Sequence, residues 1–290
     1  MMEKHDKICV GIVTYNPDLR RLSKVLDSIS CQVVEVIIVD NGSNNSDDLI
    51  NLIKEYNNVG CLLNEENKGI AKALNQICYF AYERSYDWAL TLDQDTVCPK
   101  DLVQKLSMYS DKDEVGIVCP AVYYEGVNVD AVKPQFDTEY VYACMTSASL
   151  TRIEAWRSVG GFDETYFIDF VDNEFCMKLK LQGYRILRTH SCHINHQLGN
   201  TNIISLFGIK LKGTHHNNTR CYYMMRNNVL FIKRYSDKLS IPKECAKLLK
   251  TAWNEFLFSP KRMDTLKSLV CGVKDGIKGK SGNILCYEKK

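Results

Sequence analysis

The sequence predicts an α/β fold, a mostly parallel sheet flanked by helices, with a mainly helical C-terminal extension. Two observations carry this. Between residues 8 and 92, short apolar runs rich in Val, Ile and Leu alternate with longer amphipathic stretches. That alternation is the signature of strands joined by crossover helices. Beyond about residue 205 the strand signal fades and helical periodicity takes over.

Taken in order, ICVGIV (8–13) is a continuous β-rich run and predicts a strand buried on both faces. Residues 18–30 carry Leu19, Leu22, Val25, Leu26 and Ile29 at helical spacing. VEVIIVD (34–40) predicts a second buried strand, followed by the turn-rich NGSNNSDD. Residues 47–56 read as a helix with Leu49, Leu52 and Ile53 on one face, and 60–63 as a short strand. Residues 69–84 form the next helix, with Asn67 placed to cap it. WALTL (88–92) is another strand. Further on, 115–124 predicts a strand, 125–140 an irregular stretch and 143–150 a strand. A helix over 173–181 is stopped by Gly183, and a strand follows from 184. A core α/β domain is thus expected over 1–205, and a helical C-terminal region over 206–290.

A chain of 290 residues can bury one good core. Its 37 basic and 35 acidic residues leave a formal charge of +2, which argues against a partner bound by phosphate neutralisation, such as nucleic acid. Basic residues dominate the last third, Lys212, Arg220, Arg226, Lys233 and Arg234 among them, chiefly as a solvated face. The thirteen cysteines include no Cys-x-x-Cys and sit mostly in apolar runs, as reduced thiols of a cytosolic protein would. The N-terminus lacks a secretory apolar segment, and no run reaches the ~18 apolar residues of a membrane span.

The strand ends hold the chemistry. In an open α/β sheet, ligands bind outside the carboxyl ends of the strands. Here those ends carry Thr14-Tyr15-Asn16, Asp40-Asn41-Gly42-Ser43 and Asp93-Gln94-Asp95. One such end is an ordinary turn; three together point to a ligand site. Asp40 suits a nucleobase or ribose. No G-x-x-x-x-G-K-S/T and no G-x-G-x-x-G occurs, so any nucleotide is held by other means. Asp93 and Asp95 project to one side of extended chain, where both carboxylates can face a hard divalent cation.

Three more clusters stand out. GGFDETYFIDFVDNEF (160–175) sets Asp163, Asp169, Asp172 and Glu174 among aromatic rings, and a desolvated carboxyl suits a general base. HSCHINH (190–196) lacks the four ligands of structural zinc, but one histidine can join a cation site built by the Asp pair. His215-His216 read as an exposed loop. In TRCYYMMRNN (219–228), Tyr223 and Met224 pack inward, while Arg220 and Arg226 suit phosphate oxygens.

Together these residues resemble the family 2 inverting glycosyltransferases, and more narrowly a rhamnosyltransferase-like branch that builds bacterial surface polysaccharide. The resemblance covers roughly residues 7–235 and rests on VTYNP (13–17), VIIVDNGSNN (36–45), NKGIAKALNQ (67–76), LTLDQD (90–95), residues 160–175, HQLG (196–199) and RCYYMMRNN (220–228). It implies the Rossmann-like GT-A fold, a nucleotide-diphosphate-sugar donor and a divalent cation, Mg²⁺ or Mn²⁺. Thr14, Asn16, Asp40 and Asn41 would hold the nucleoside, with Asn67 and Gly69 near the donor. Asp93 would lie by the ribose, Asp95 would be the firmer metal ligand, and His196 would complete the metal site. Asp172 aligns with the catalytic base and Arg220 would meet the diphosphate. Many relatives carry Glu-Asp where this chain has Val171-Asp172, which leaves Glu174 or Asp169 as substitutes for the first acid.

The implied acceptor is a glycan or lipid-linked glycan at the inner membrane face, which makes the protein cytoplasmic and peripheral. Leu248, Leu249, Trp253, Phe256 and Phe258 suit such attachment, or equally an amphipathic core or dimer helix. Deoxythymidine-diphosphate-rhamnose is the donor implied by the resemblance, with UDP-sugars as the alternative. Rival readings are a nucleotidyltransferase, which usually brings a Gly-rich basic loop that VTYNPDLRR lacks, and a non-catalytic nucleotide- or glycan-binding module.

Overall fold

The computed structural model describes residues 7–124, 136–196, 201–206 and 209–283. The chain forms two compact units, one of Met1–Glu164 with Asp172–His196 and one of Thr165–Val171 with Gln197–Lys290.

The first unit is built on β1 (Ile8–Thr14), β2 (Val36–Asp40), β3 (Val59–Leu63) and β4 (Trp88–Asp93), with α1 (Leu19–Ile29), α2 (Ser46–Ile53) and α3 (Ile70–Glu83) between them. After these come α4 (Leu102–Ser107), β5 (Val115–Tyr124), β6 (Thr138–Val141), β7 (Ser149–Arg152), α5 (Ile153–Ser158), α6 (Val171–Leu181) and β8 (Arg185–His196). The strands form an eight-stranded sheet in the order β3-β2-β1-β4-β7-β5-β8-β6. β1 through β4 pair in parallel, as does β5 with β8, whereas β7 runs antiparallel between β4 and β5, and β6 antiparallel along β8. Among the parallel strands, β1, β2 and β4 are almost wholly buried apolar runs, as strands covered on both faces must be.

Local chemistry explains the helices that matter here. Asp18 caps α1 by accepting from the amides of Arg20 and Arg21, and Leu22, Val25, Leu26 and Ile29 turn inward. Those residues join β1, β2 and β4 in one core that includes Ile12, Ile38, Leu90 and Leu150. On the other face α3 comes so close to β1 that a Cβ at Gly11 would lie 2.1 Å from Ile77 Cγ2. α3 starts one residue later than its expected first residue. Gly69 is its N-cap, at φ +86°, and Asn67 Oδ1 accepts from the Gly69 amide instead of capping the helix. That left-handed backbone favours glycine.

Several expected boundaries move. Of the 143–150 run only the last two residues are strand, where β7 begins, because the chain ahead of them is taken up in loop bonds. Thr91 Oγ1 and Ser149 Oγ donate to the carbonyls of Thr146 and Met145, and Ala148 turns at φ +60°. β6 begins within the stretch expected to be irregular, as an edge strand whose Tyr140 is exposed. The rest of that stretch, 125–135, lies outside the described residues. α4 and α5, each of six residues, are too short to show a helical period.

The second unit contains the hairpin of β9 (Thr201–Leu206) with β10 (Ile209–Thr214), then α7 (Asn218–Arg234), α8 (Ile241–Phe258) and α9 (Arg262–Ile277). The region is mainly helical as expected, but its start is a hairpin; β10 alternates Ile209 and Leu211 with Lys210 and Lys212 over too few residues to announce itself. α7 and α9 pack so tightly that a Cβ at Gly272 would meet the Tyr222 carbonyl at 2.3 Å. Phe167, Tyr222 and Tyr223 form one small core here, and Cys221, Met225 and Leu269 another. Among the described residues no helix is long and apolar enough to cross a membrane.

Candidate active site

Parallel register assembles the first part of the site. Thr14 pairs with Asp40 across β1 and β2, and Val13 with Asp93 across β1 and β4, so three polar strand ends lie side by side. Asp40 is 1% exposed and fully engaged. Its Oδ1 accepts from Thr14 Oγ1 at 2.8 Å and Ser43 Oγ at 2.5 Å, and its Oδ2 from the Ser43 amide at 2.9 Å. A buried carboxylate needs such donors. It shapes the 41–45 turn, while the exposed groups at this edge are Tyr15 and Asn16. Asn16, at φ +46°, donates its amide to Ser43 Oγ and accepts from the Asn44 amide.

Asn41 is a buried hub. Its Nδ2 donates to Asn67 Oδ1 and the Gly69 carbonyl, both at 3.1 Å, and its Oδ1 accepts from the Lys68 amide at 3.0 Å and Asn64 Nδ2 at 3.2 Å. Asn41, Asn67 and Gly69 therefore act as one lattice that fixes the entry to α3.

The acidic loop after β4 is anchored through its backbone and through Gln94. The Asp93 amide donates to Ser147 Oγ at 3.0 Å, Gln94 Oε1 accepts from the Tyr15 amide at 2.8 Å, and Arg21 Nε donates to the Asp95 carbonyl at 2.9 Å. These bonds hold the loop while Asp93 stays half-buried and Asp95 exposed. Among the described residues no three His, Cys, Asp or Glu side chains form a metal-holding group. Two carboxylates on an anchored loop fit a hard divalent cation that takes its remaining ligands from phosphate oxygens and water. His196 ends β8, paired with Tyr124; its side chain lies outside the described residues, as do residues 197–199 of the HQLG motif.

Asp172 stands in the first turn of α6, half-buried, where its Oδ1 accepts from the Asn173 amide at 2.8 Å and Asn173 Nδ2 at 3.0 Å. It lines a cleft of about 500 Å³ together with Cys119, Cys144, Ser147, Asn173 and Arg188. A helix N-terminus favours a carboxylate there. Glu174, two residues on, is 0% exposed and pairs with Lys178 at 3.8 Å, so it is a core acid that does not face a ligand.

The second unit holds Asp169, Arg220 and Arg226. Asp169 sits at φ +63° beside Phe170 at φ +65°. Its Oδ1 receives Arg220 Nε and Nη2, both at 3.1 Å. Burial pushes the Asp169 carboxyl above its ordinary value, and Arg220 offsets part of that. Arg220 follows the Asn217 cap of α7 and keeps its side chain 48% exposed. Arg226 does not share that position. It is 0% exposed and donates to Asn227 Oδ1 and to the carbonyls of Gly282 and Thr165, which removes it as a phosphate ligand. His216 likewise is no free loop residue: its Nδ1 lies 2.7 Å from Glu255 Oε1, and its amide donates to Glu255 Oε2 at 2.9 Å.

Sequence reasoning missed Ser147, Asn173, Arg188 and Arg21. Ser147 lies in a segment read as strand, and Arg188 lies within β8 with no local mark of function. Only Asn173, next to Asp172, had a signal within reach.

Comparison with known proteins bears on the family and the fold. The Glycosyl transferase family 2 model matches residues 9–170. A dTDP-rhamnosyl transferase, RfbF of Shigella flexneri, is 26% identical over 96% of this chain and 98% of its own. The poly-beta-1,6-N-acetyl-D-glucosamine synthase of Staphylococcus aureus (strain COL) is 40% identical over 28% of this chain and 19% of its own. Among solved structures, the mannosyltransferase PcManGT from Pyrobaculum calidifontis, in complex with GDP-Man and Mn²⁺, superposes with a TM-score of 0.59 at 14% identity, over 95% of this chain and 88% of that one. GalNAc-T7 with UDP, GalNAc and Mn²⁺ gives a TM-score of 0.64 at 15% identity; the match covers 96% of this chain but only 57% of that longer one. At those identities the structures establish a shared GT-A fold. Since the family model alone spans more than half of the 290 residues, this chain belongs to glycosyl transferase family 2.

Proposed function

We propose that this chain is an inverting glycosyltransferase that moves L-rhamnose from dTDP-rhamnose to a hydroxyl of a cell-surface polysaccharide precursor. The observation that carries the reading is Asp172, a half-buried carboxylate on the wall of a cleft wide enough for a sugar. The choice of donor is supported by the near-full-length similarity to a dTDP-rhamnosyl transferase.

On this reading Asp172 accepts the proton of the acceptor hydroxyl. The oxygen attacks the anomeric carbon, the bond from that carbon to the diphosphate breaks on the opposite face, and the configuration inverts. Thr14, Asn16, Asp40 and Asn41 build the nucleoside pocket, with Asp40 fixing its turn and Asn16 exposed to the ligand. Asn67 and Gly69 border the donor, Asp93 borders the ribose, and Arg220 meets the departing diphosphate with Asp169 holding its guanidinium. Asp93, Asp95 and His196 would hold Mg²⁺ or Mn²⁺, which supplies charge stabilisation for the leaving group. Residues 1–205 form the transferase domain, and 206–290 the extension.

Release of nucleoside diphosphate from a panel of dTDP-, UDP- and GDP-sugars tests the reading, with Mg²⁺, Mn²⁺ or chelator present. We expect release from dTDP-rhamnose that chelator abolishes, and a loss of about 10²-fold or more in Asp95→Asn. Release from a UDP-sugar alone would replace the donor, and pyrophosphate release would mark a nucleotidyltransferase. No release together with no metal-dependent donor binding would overturn the transferase reading.

The protein is also read as cytoplasmic and peripheral at the inner membrane face, where lipid-linked acceptors are extended. α8 exposes Leu249 at 69% and Trp253 at 63%, one turn apart, beside the exposed Lys243, Lys247 and Lys250. An apolar ridge flanked by lysines suits an anionic lipid surface. Phe258 is buried and plays no part in it. Trp253→Ala is expected to cut co-sedimentation with phosphatidylglycerol vesicles by about threefold or more without changing donor hydrolysis. Equal sedimentation of the two proteins would refute the membrane contact.

A further inference from the structure

The cleft that Asp172 lines also carries Arg188 and His190. β8 sets Arg188 between Cys119 of β5 and Glu139 of β6. Arg188 Nη1 donates to Glu139 Oε1 at 3.2 Å, and among the described residues the rest of the guanidinium meets no other oxygen. His190 shares that acceptor. Its Nε2 lies 3.2 Å from Glu139 Oε1 and carries the hydrogen, since a carboxylate only accepts. Beyond Thr189 the pairing with β5 jumps from Pro120–Thr189 to Ala121–His193, so 190–192 bulge out of the ladder. The His190 amide donates to the Asp137 carbonyl at 2.8 Å, and the Thr189 and Ser191 hydroxyls bond at 2.8 Å, which holds the bulge. Bulges of this kind re-aim side chains beside a site.

We propose that Arg188 selects the acceptor: its guanidinium takes a carboxylate or phosphate borne by the acceptor glycan, while a hydroxyl of the same glycan meets Asp172. This rests on the reading of Asp172 as the base, and it names the acceptor class as an anionic glycan.

The placement of charge favours an anion. Arg188 and His190 line the cleft, whereas Glu139, on the edge strand, does not, so the donors face the cleft without their neutralising acid. The Arg188 side chain is 33% exposed, and an anion reaches it without opening the fold. With one nitrogen on Glu139, the remaining edge of the planar fork suits the paired oxygens of a carboxylate or phosphate. Tyr123 supplies the apolar surface that a sugar ring needs; it lines the same cleft and is braced by His193, with ring centroids 5.3 Å apart. Asp172 repels an anion. A charged substituent therefore settles at Arg188 and leaves an uncharged hydroxyl to the base, which orients the acceptor as well as selecting it.

The test is an NMR titration of the full chain with methyl glucuronide, with glucose 6-phosphate and, as the neutral probe, with methyl glucoside. At least one anionic sugar should bind about tenfold or more tighter than the glucoside, and salt should weaken that preference. Whichever anion is preferred tells carboxylate from phosphate. Arg188→Met should abolish the preference and Arg188→Lys should keep part of it. Glu139→Gln removes the competing acid and should strengthen it. A merely structural Arg188 gives no such opposite shifts, and both side chains are exposed enough for the variants to fold. Equal or absent binding of charged and neutral sugars overturns the proposal, as does a preference that survives Arg188→Met. So does a loss of donor affinity beyond about twofold in that variant, which would place Arg188 on the donor diphosphate instead. Wild-type protein that releases nothing from any donor overturns the transferase reading; the titration needs no turnover and decides the anion site by itself.

Discussion

Asp172→Asn is expected to lower turnover by about 10²–10⁴-fold while leaving donor affinity within about twofold. The substitution keeps the shape of the side chain and one acceptor oxygen. The bonds that Asp172 Oδ1 receives from the Asn173 amide and Nδ2 can therefore persist, and the first turn of α6 stays in place. What is lost is the ability to take a proton. At about 1.4 kcal/mol per tenfold, the range corresponds to about 3–6 kcal/mol of transition-state stabilisation. Glu174→Gln is the informative contrast. Glu174 is fully buried and paired with Lys178, so its replacement should lower stability before it touches chemistry. Turnover, donor affinity by calorimetry and unfolding midpoints of both variants separate the two roles. Unchanged turnover in Asp172→Asn would remove it as the base.

Arg226→Met is expected to destabilise the protein by about 3–5 kcal/mol, the larger of the stability effects foreseen here. The guanidinium is wholly buried, with Nε on Asn227 Oδ1 at 2.8 Å, Nη1 on the Gly282 carbonyl at 2.6 Å and Nη2 on the Thr165 carbonyl at 3.4 Å. Its carbon Cζ lies 4.6 Å from the Tyr223 ring centroid. Burial lowers its pKa, against which the nearby tyrosines and Asp275 act. Methionine fills the volume but donates nothing, so the Gly282 carbonyl and Asn227 Oδ1 lose this donor, while the Thr165 carbonyl keeps the Gly282 amide at 2.9 Å. Arg226→Lys should recover only part of the loss, because one ammonium cannot reproduce a planar fork. Arg226 also ties down residue 282, next to Asn283, whose Oδ1 accepts from Tyr223. Proteolysis near the C-terminus should accelerate in the Met variant. Urea unfolding gives the free-energy difference, and a loss below about 1 kcal/mol would mean that water replaces the lost donors.

The contrast between Arg220 and Arg226 shows how far a linear reading reaches. Both follow the same logic in sequence, arginines flanking an aromatic-Met patch, yet one is half-exposed and the other entirely enclosed. Their six-residue spacing puts them on different faces of α7. No local feature says which face is packed, since α9 covers one of them from nearly fifty residues away along the chain.

By itself the sequence determined whatever depends on neighbouring residues. Buried parallel strands must be apolar on both faces, so β1, β2 and β4 are visible as runs, and their polar ends at Thr14, Asp40 and Asp93 are visible as breaks. The helices α1 and α3 show through their period, and the family resemblance through motifs in order. Tertiary structure alone decided what depends on distant pairing. The insertion of β7 between β4 and β5 brings Ser147 to the Asp93 amide and turns residues 143–148 from an apparent strand into a loop. The cleft gathers Cys119, Cys144, Asp172 and Arg188 from four separate segments. Such contacts are set by packing and strand order, and sequence spacing carries almost no trace of either.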